Sequence, residues 1–242
     1  GKKAEPYLLL LPAVALALMF SILPFMRTVF LSFMKVTQGG DVIGFGGLSS
    51  YKSLFADKAF IRSIGHTLLF VLLFIPLNTA LTLLAAVLTR RKGRRTGIAE
   101  FIFFSPMAIS LSAYGMIFSE MFRGRISIAN RILGTDILWL ESPISAITVL
   151  VFLCVFLDFG LDYILLLSAF RSIDRSLMEA AEIDGCGSVR TLLWIELPAI
   201  RNMLLVTIFL APKDALLISA PVMILTEGGP YRSTETVMYY YY

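Results

Sequence analysis

Three groups of residues in this 242-residue chain could carry chemistry. Asp158 and Asp162 stand four apart in an apolar run, so a helix presents both carboxylates on one face. Lys213 and Asp214 sit in a second apolar run, directly after Pro212 and ahead of Ser219. Between the two runs lies a polar island, Glu179 to Pro198, reading EAAEIDGCGSVRTLLWIELP. A pair of carboxylates can act as acid and base, accept hydrogen bonds from a hydroxylated solute, meet a cation, pair with Lys213 or take up a proton. Catalysis would need a nucleophile, a metal set or oxyanion donors beside them, and the chain offers no such constellation. His66 has no spaced partner and reads as a helix-end or interfacial histidine. Cys154 lies in an apolar run and Cys186 in the island, so neither a disulfide nor a zinc site follows. No catalytic residue and no metal ligand is assigned.

The elements that position these residues are helices in a bilayer. The chain is 57% hydrophobic and 16% charged, against about 25% charged in a soluble domain. Its apolar residues gather in five runs: about Tyr7 to Phe33, Ile64 to Leu88, Ile98 to Phe122, Ile144 to Phe170 and Asn202 to Thr226. Each is long enough to cross a bilayer. The first is too long, and too interrupted by Pro12 and Pro24, for a cleaved signal, so it reads as a retained span. Polar loops follow the first and third runs, and the earlier one ends in an amphipathic stretch at about Tyr51 to Phe60. Residues 1–61 form the first span with its outer loop, and residues 62–242 the core domain. Pro212 is expected to break the fifth run near its middle. Broken helices at the midplane recur at transport sites, which makes Lys213, Asp214 and Ser219 pathway candidates beside Asp158 and Asp162. An acid at the centre of a span costs about 2.5–3.5 kcal/mol, so such residues face a cavity or a partner.

Basic residues set the orientation. Arg90, Arg91, Lys92, Arg94 and Arg95 cluster after the second run, and Lys2, Lys3, Arg171, Arg175, Arg190 and Arg201 fall on the same side. The net charge of +4 is therefore a topology signal rather than a nucleic-acid footprint. The amino terminus and the island are placed in the cytoplasm. Within the island, Ser176 and Glu179 have capping-box spacing. Asp184-Gly185 supplies a turn, Ser188 can cap a second helix, and Pro198 marks its end. The expected element is a helix-turn-helix at 171–201. No GxxxxGK[ST] stretch is present to cradle nucleotide phosphates.

The island's fixed points are Glu179-Ala180-Ala181, three residues, Gly185, nine residues, then Ile195, Leu197 and Pro198. That spacing, with Asp184, resembles the EAA motif of binding-protein-dependent ABC import permeases. Gly44 to Tyr51, Asn78 to Leu88, Phe104-Ser105-Pro106, Leu225 to Pro230 and Ser233 to Thr236 extend the likeness over nearly the whole chain. They point to the sugar-type branch, with its maltose-like and glycerol-phosphate-like first permease subunits. The resemblance implies an all-α polytopic bundle, the transmembrane domain of a type I ABC importer, with a sixth span expected after Thr236. It implies a permease rather than an enzyme, working on a sugar or polyol-type solute in a bacterial-type cytoplasmic (inner) membrane. It implies a second, non-identical permease subunit, a cytoplasmic ATPase dimer carrying ATP and Mg, and an extracytoplasmic binding protein. No cofactor belongs to this chain. Glu179, Ala180, Ala181, Asp184, Gly185, Ile195, Leu197 and Pro198 become the ATPase-coupling residues, and the run holding Asp158 and Asp162 lines the solute pathway. Gly228, Gly229 and Pro230 either contact the binding protein or reverse the chain into a sixth span. Cys186 replaces a usual alanine, Asp174 a common proline, and Lys213-Asp214 is rare at its position. Other classes consistent with an apolar chain are a passive channel or facilitator, which needs no such island, and a membrane enzyme using the intramembrane carboxylates.

Overall fold

The computed structural model describes residues 5–37, 39, 41–91 and 93–242. Lys2, Lys3 and Lys92, which enter the charge argument, lie outside the described residues. The chain divides into two compact units, Gly1–Ile61 and Arg62–Tyr242.

In the first unit, α1 (Glu5–Ala17) and α2 (Leu23–Ser32) are joined through a π-helical turn at Leu18–Ile22. Pro24 has no N–H to give the carbonyl of Phe20, and the wider turn lies where that bond is missing. The following loop is more ordered than its polarity suggests. Strands β1 (Met34–Val36) and β2 (Val42–Phe45) pair antiparallel, Met34 opposite Phe45, with a bulge between Lys35 and Val36. The amphipathic stretch forms α3 (Ser49–Ala56), whose Tyr51 hydroxyl donates to Ser32 Oγ at 2.7 Å.

The second unit is helical among the described residues. Helices α4 (Lys58–Thr89) and α8 (Pro143–Arg171) are unbroken and long enough to span a membrane. The third apolar run does not form one straight helix. It splits into α5 (Arg94–Phe104) and α6 (Leu111–Phe122), bent by 102° about a 3-10 turn at Ser105–Ala108. Pro106 and the extended Ile109 end the first segment, and Ser110 caps the second by accepting from Ala113 N. The Pro106 carbonyl accepts from Ile109 N and from the Tyr114 hydroxyl, each at 3.2 Å, so it is paired where the bilayer interior offers no donor. The next loop holds α7 (Ile128–Leu133).

After α8 come α9 (Arg175–Ile183) and α10 (Ser188–Thr191), a π-helical turn (Leu192–Glu196) and α11 (Leu197–Ala199). A 69° bend leads into α12 (Arg201–Leu216). The fifth run breaks, but not at Pro212, which stays inside α12. The break falls at Leu217–Ser219, ahead of α13 (Ala220–Leu225), and the chain then enters α14 (Val237–Tyr241). Pro212 forfeits only one backbone bond. At the actual break the Ile218 carbonyl is taken by Thr236 Oγ1 at 2.7 Å, a capture from eighteen residues away.

The core has two apolar clusters strung along α8. One surrounds Ile147 to Val155, with Phe70, Phe74, Tyr114 and Val222 packed against them. The other surrounds Tyr163 to Phe170, with Ala85, Ala86 and Ile200. Between them α8 carries Asp158, Gly160 and Asp162. A Cβ at Gly160 would stand 2.7 Å from Met107 Cγ and 3.4 Å from the Phe104 carbonyl oxygen. Glycine there admits the α5 end and its turn, as small residues do in membrane bundles.

Candidate coupling element and intramembrane polar layer

The island folds as a helix-turn-helix, with caps that differ from those its sequence suggests. Asp174, not Ser176, caps α9: its carboxylate accepts from Ser176 N at 3.0 Å. These hydrogen bonds to Ser176 hold the Asp174 carboxyl below its usual range. Glu179 makes no capping-box bond to the Ser176 backbone N–H; its carboxylate pairs instead with the Arg175 side chain at 2.9 Å, one turn earlier on the exposed face. A carboxylate two residues upstream accepts a helix-start N–H more strongly than a hydroxyl, so Ser176 lies inside the first turn.

Helix α9 ends on Gly185, whose φ of +72° is the left-handed region. Cys186 N–H donates to the Ala181 carbonyl at 2.9 Å and Gly185 N–H to that of Glu182 at 3.1 Å. These are the two bonds of a Schellman turn. The second helix starts with Gly187 as its cap and Ser188 already helical, so Ser188 does not serve as the expected cap. Its π-helical turn again sits where a proline lacks a donor: Pro198 would otherwise bond the Trp194 carbonyl. Ile183 and Val189, flanking the turn, are 86% and 71% exposed. Ala181 is buried, and Ile195 and Leu197 are half-buried.

Behind α9 lies a cavity of about 670 Å³, lined by Glu179, Glu182 and Cys186 from the island and by Arg90, Arg91 and Arg171 from the helix ends. Arg90 Nε stands 2.9 Å from Glu196 Oε2, with both side chains largely buried. Arg171 donates to Glu100, with Nη1 to Oε2 at 3.1 Å, and to the Thr89 carbonyl at 3.1 Å. The Arg90–Glu196 pair ties the motif segment to the end of α4, and Arg171 ties the end of α8 to α5 and α4.

The mid-span acids separate into two environments. Asp162 is buried and accepts from Asn78 Nδ2 at 2.6 Å. Asp158 faces a cavity of about 220 Å³ shared with Asp214, Ser219, Phe70, Phe74 and Cys154. Lys213 does not reach either acid of α8: its ion pair is with its neighbour Asp214, at 3.0 Å and largely exposed. The alternative in which Lys213 neutralises Asp158 or Asp162 is therefore not adopted among the described residues, because the adjacent carboxylate takes the ammonium first.

Gly228, Gly229 and Pro230 form a tight reversal held by threonines. Thr226 and Thr234 hydroxyls meet at 2.7 Å, and Thr234 Oγ1 donates to the Gly229 carbonyl at 2.8 Å. Val237 N donates to Thr67 Oγ1 at 2.9 Å, which fastens this segment to α4. The reversal borders a cavity of about 370 Å³ with Tyr231 and Arg232. His66 is neither at a helix end nor alone: its Nδ1 lies 3.3 Å from the Glu235 carbonyl oxygen.

Residues 78–230 match the family described as the binding-protein-dependent transport system inner membrane component. The chain belongs to that family. It is 31% identical to the lactose transport system permease protein LacF of Rhizobium radiobacter, over 98% of this chain and 81% of that protein. The trehalose/maltose transport system permease protein MalF of Thermococcus litoralis is 28% identical, over 96% of this chain and 80% of that protein. The sn-glycerol-3-phosphate permease protein UgpA of Agrobacterium fabrum is 27% identical, over 99% and 83%. A bacterial ABC transporter involved in import of the acidic polysaccharide alginate contains a chain of the same fold. Its TM-score is 0.84 at 21% identity, covering 99% of this chain and 83% of that one.

This permease is thus an inner membrane transport subunit with the transmembrane fold of a type I ABC importer, and ATP hydrolysis resides on a separate subunit. The motif residues Glu179, Ala180, Ala181, Asp184 and Gly185 lie together in α9 and its turn, and Ile195, Leu197 and Pro198 at the far end of the second helix. Glu100 and Glu196 carry much of the geometry without having been singled out in the sequence, and Asn78 and Thr236 stood in stretches that carried the resemblance but were given no role. Each acts on a partner distant in sequence, which no local spacing identifies.

Proposed function

We propose that this permease passes a sugar or polyol-type solute, delivered by an extracytoplasmic binding protein, and is driven by an ATPase dimer that holds the α9 turn. The observation that carries the reading is the island's construction. A Schellman turn sets exposed Ile183 and Val189 on either side of Gly185, while the segment behind it is ion-paired to helix ends through Glu196. An element that offers apolar side chains outward and is fastened inward by charge suits the transfer of a partner's motion to the spans. ATP and Mg belong to that partner, and a second, non-identical permease subunit completes the pathway. The amino terminus is on the cytoplasmic side, following the basic cluster that begins at Arg90.

The solute class is supported by the names of the relatives, which include lactose, trehalose/maltose and glycerol phosphate systems. Asp158, Asp162, Lys213, Asp214 and Ser219 are assigned to the pathway and Gly228, Gly229 and Pro230 to contact with the binding protein. The test is Glu179→Lys in the assembled transporter. Loss of ATPase co-purification and of solute uptake, with membrane insertion unchanged, is the expected result. Full uptake with a normally bound ATPase would remove the docking role.

A further inference from the structure

Transport by itself gives the hairpin of the first unit, and the amphipathic helix after it, no task. We propose that β2 and α3 form an interfacial foot. Its apolar side lies at the boundary between acyl chains and headgroups of the bilayer, and its lysines meet phospholipid phosphates.

The chain leaves one span and enters the next within residues 33–57. The first span, Leu10–Ser32, has 23 residues and rises about 34 Å, enough to cross a hydrocarbon core of about 30 Å. Its last residue therefore stands at the membrane surface, and to that residue, at Ser32 Oγ, the Tyr51 hydroxyl donates at 2.7 Å. The Phe33 and Tyr51 rings lie 5.8 Å apart. Helix α3 is thereby pinned to the end of α2, and a tyrosine at that level has its ring and its hydroxyl in the two media it suits.

The side chains of α3 are sorted by polarity. Leu48, Tyr51, Leu54 and Phe55 fall within one arc of about 120°, with Ser49, Ser50 and Ser53 outside it and Lys52 at its edge. In β2, Ile43 and Phe45 share one face, and Met34 lies opposite Phe45. The Phe45 ring reaches towards the start of α3: a Cβ on Gly47 would stand 3.7 Å from its Cε1. That contact brings the strand face beside the residue before Leu48. Ile43, Phe45, Leu48 and Phe55 are 59–76% exposed.

Large apolar side chains gathered in this way are seldom left to water. The lysines decide between lipid and protein. Lys35 follows Met34, Lys52 borders the arc and Lys58 opens α4, and all three are exposed. Interfaces between proteins are depleted in lysine. Helices that lie in a membrane surface carry it beside Phe and Leu, with the stem along the apolar side and the ammonium among the headgroups. The surface also continues from the exposed apolar side chains Phe25, Met26 and Phe30 of the span itself. The foot fixes the depth at which α2 ends.

The test places a nitroxide on Phe45→Cys, Phe55→Cys or Ser53→Cys in a Cys154→Ala, Cys186→Ala chain. The assembled transporter is held in nanodiscs of phosphatidylethanolamine and phosphatidylglycerol. Collision with oxygen and with a water-soluble nickel chelate gives the depth of each label. The labels at Phe45 and Phe55 are expected about 5–10 Å below the phosphates, and the label at Ser53 on the water side of them. Labels at Phe45 and Phe55 as open to nickel as the one at Ser53 would overturn the proposal. So would labels shielded from oxygen and nickel alike, which would mark a protein partner on this face. Should Phe45→Cys or Phe55→Cys fail to assemble, Ile43→Cys reports on the same strand face as Phe45. Lys35→Glu with Lys52→Glu is expected to shift the Phe55 label towards water, and an unchanged depth would remove the contact between lysine and phosphate.

Discussion

At the island end of α8, Arg171 is bound to Glu100 and to the Thr89 carbonyl, and the neighbouring Arg90 is bound to Glu196. Halfway along the same helix, Asp158 and Asp162 have no ion pair among the described residues, and a single amide, Asn78, serves one of them. The two levels treat charge in opposite ways. At the end the buried charges are paired across elements, Arg90 with Glu196 and Arg171 with Glu100, although Arg171 Nε and Glu196 Oε2 keep no hydrogen-bond partner among the described residues. The middle is open, with acceptors exceeding donors. A joint that carries motion must stay satisfied throughout a cycle, whereas a site visited by solute needs groups that only the visitor completes. Under the proposed function, α8 connects a set of standing ion pairs to a site that solute completes.

The sharpest way to break this contrast is to open the closed end. Removing one member of a buried pair strands the other charge, at a cost of about 3–5 kcal/mol. Glu196→Ala leaves Arg90 stranded in that way and should lower the melting temperature of the purified permease more than any other change considered. It should also cut uptake severely. Arg90→Met combined with Glu196→Met removes both charges and should restore most of the stability, read by thermal unfolding. If it also restores full uptake, the pair holds structure only and transmits nothing.

Gly185 tests the same end through its backbone. A side chain at φ +72° costs about 1–2 kcal/mol, so Gly185→Asp should loosen the Schellman turn without disturbing the helices above it. The expected outcome is loss of the co-purified ATPase with a helical signal close to that of the parent. Retained ATPase with unchanged uptake would show that the turn's shape is dispensable.

The open middle should respond in the reverse sense: small in stability, large in transport. Hydrogen bonds between membrane helices average about 0.6 kcal/mol, with a maximum near 1.7, so Asp162→Asn and Asn78→Ala should assemble normally. Asp158→Asn, facing the cavity, should alter the concentration dependence of uptake as well. Unchanged uptake kinetics in all three, for every solute carried, would end the pathway role.

The contrast was only half legible in the amino-acid order. Long apolar runs announce α4 and α8, and the Glu179 to Pro198 stretch announces the helix-turn-helix because both its helices and its turn are local. Where a span breaks is a different matter. Pro212 looked like the break, yet α12 passes through it, since membrane helices tolerate one missing bond. The real break depends on Thr236 reaching back to Ile218. The partners of Arg90 and Arg171 lie 106 and 71 residues away, so both arginines read from sequence as topology signals alone. Local caps can be weighed residue by residue; long-range partners need the packed bundle.

The smallest expected effect belongs to Asp174, and it sharpens the boundary of the closed end. Its carboxylate accepts from Ser176 N at the fully exposed start of α9, and those bonds hold its pKa below the usual carboxylate value. A depressed folded-state pKa makes the contribution present above the unfolded value, about 3.9, and progressively lost as pH falls through the lower folded one. The first turn of α9 should therefore be unaffected between neutrality and mild acid and fray only under stronger acid. Asp174→Asn keeps an acceptor at the cap but no longer titrates, so amide exchange at Ser176 and Leu177 should lose its acid dependence while remaining slow at neutral pH. If that exchange shows the same acid dependence in both proteins, the cap contributes nothing that titrates, and the joint begins at Arg171 rather than at Asp174.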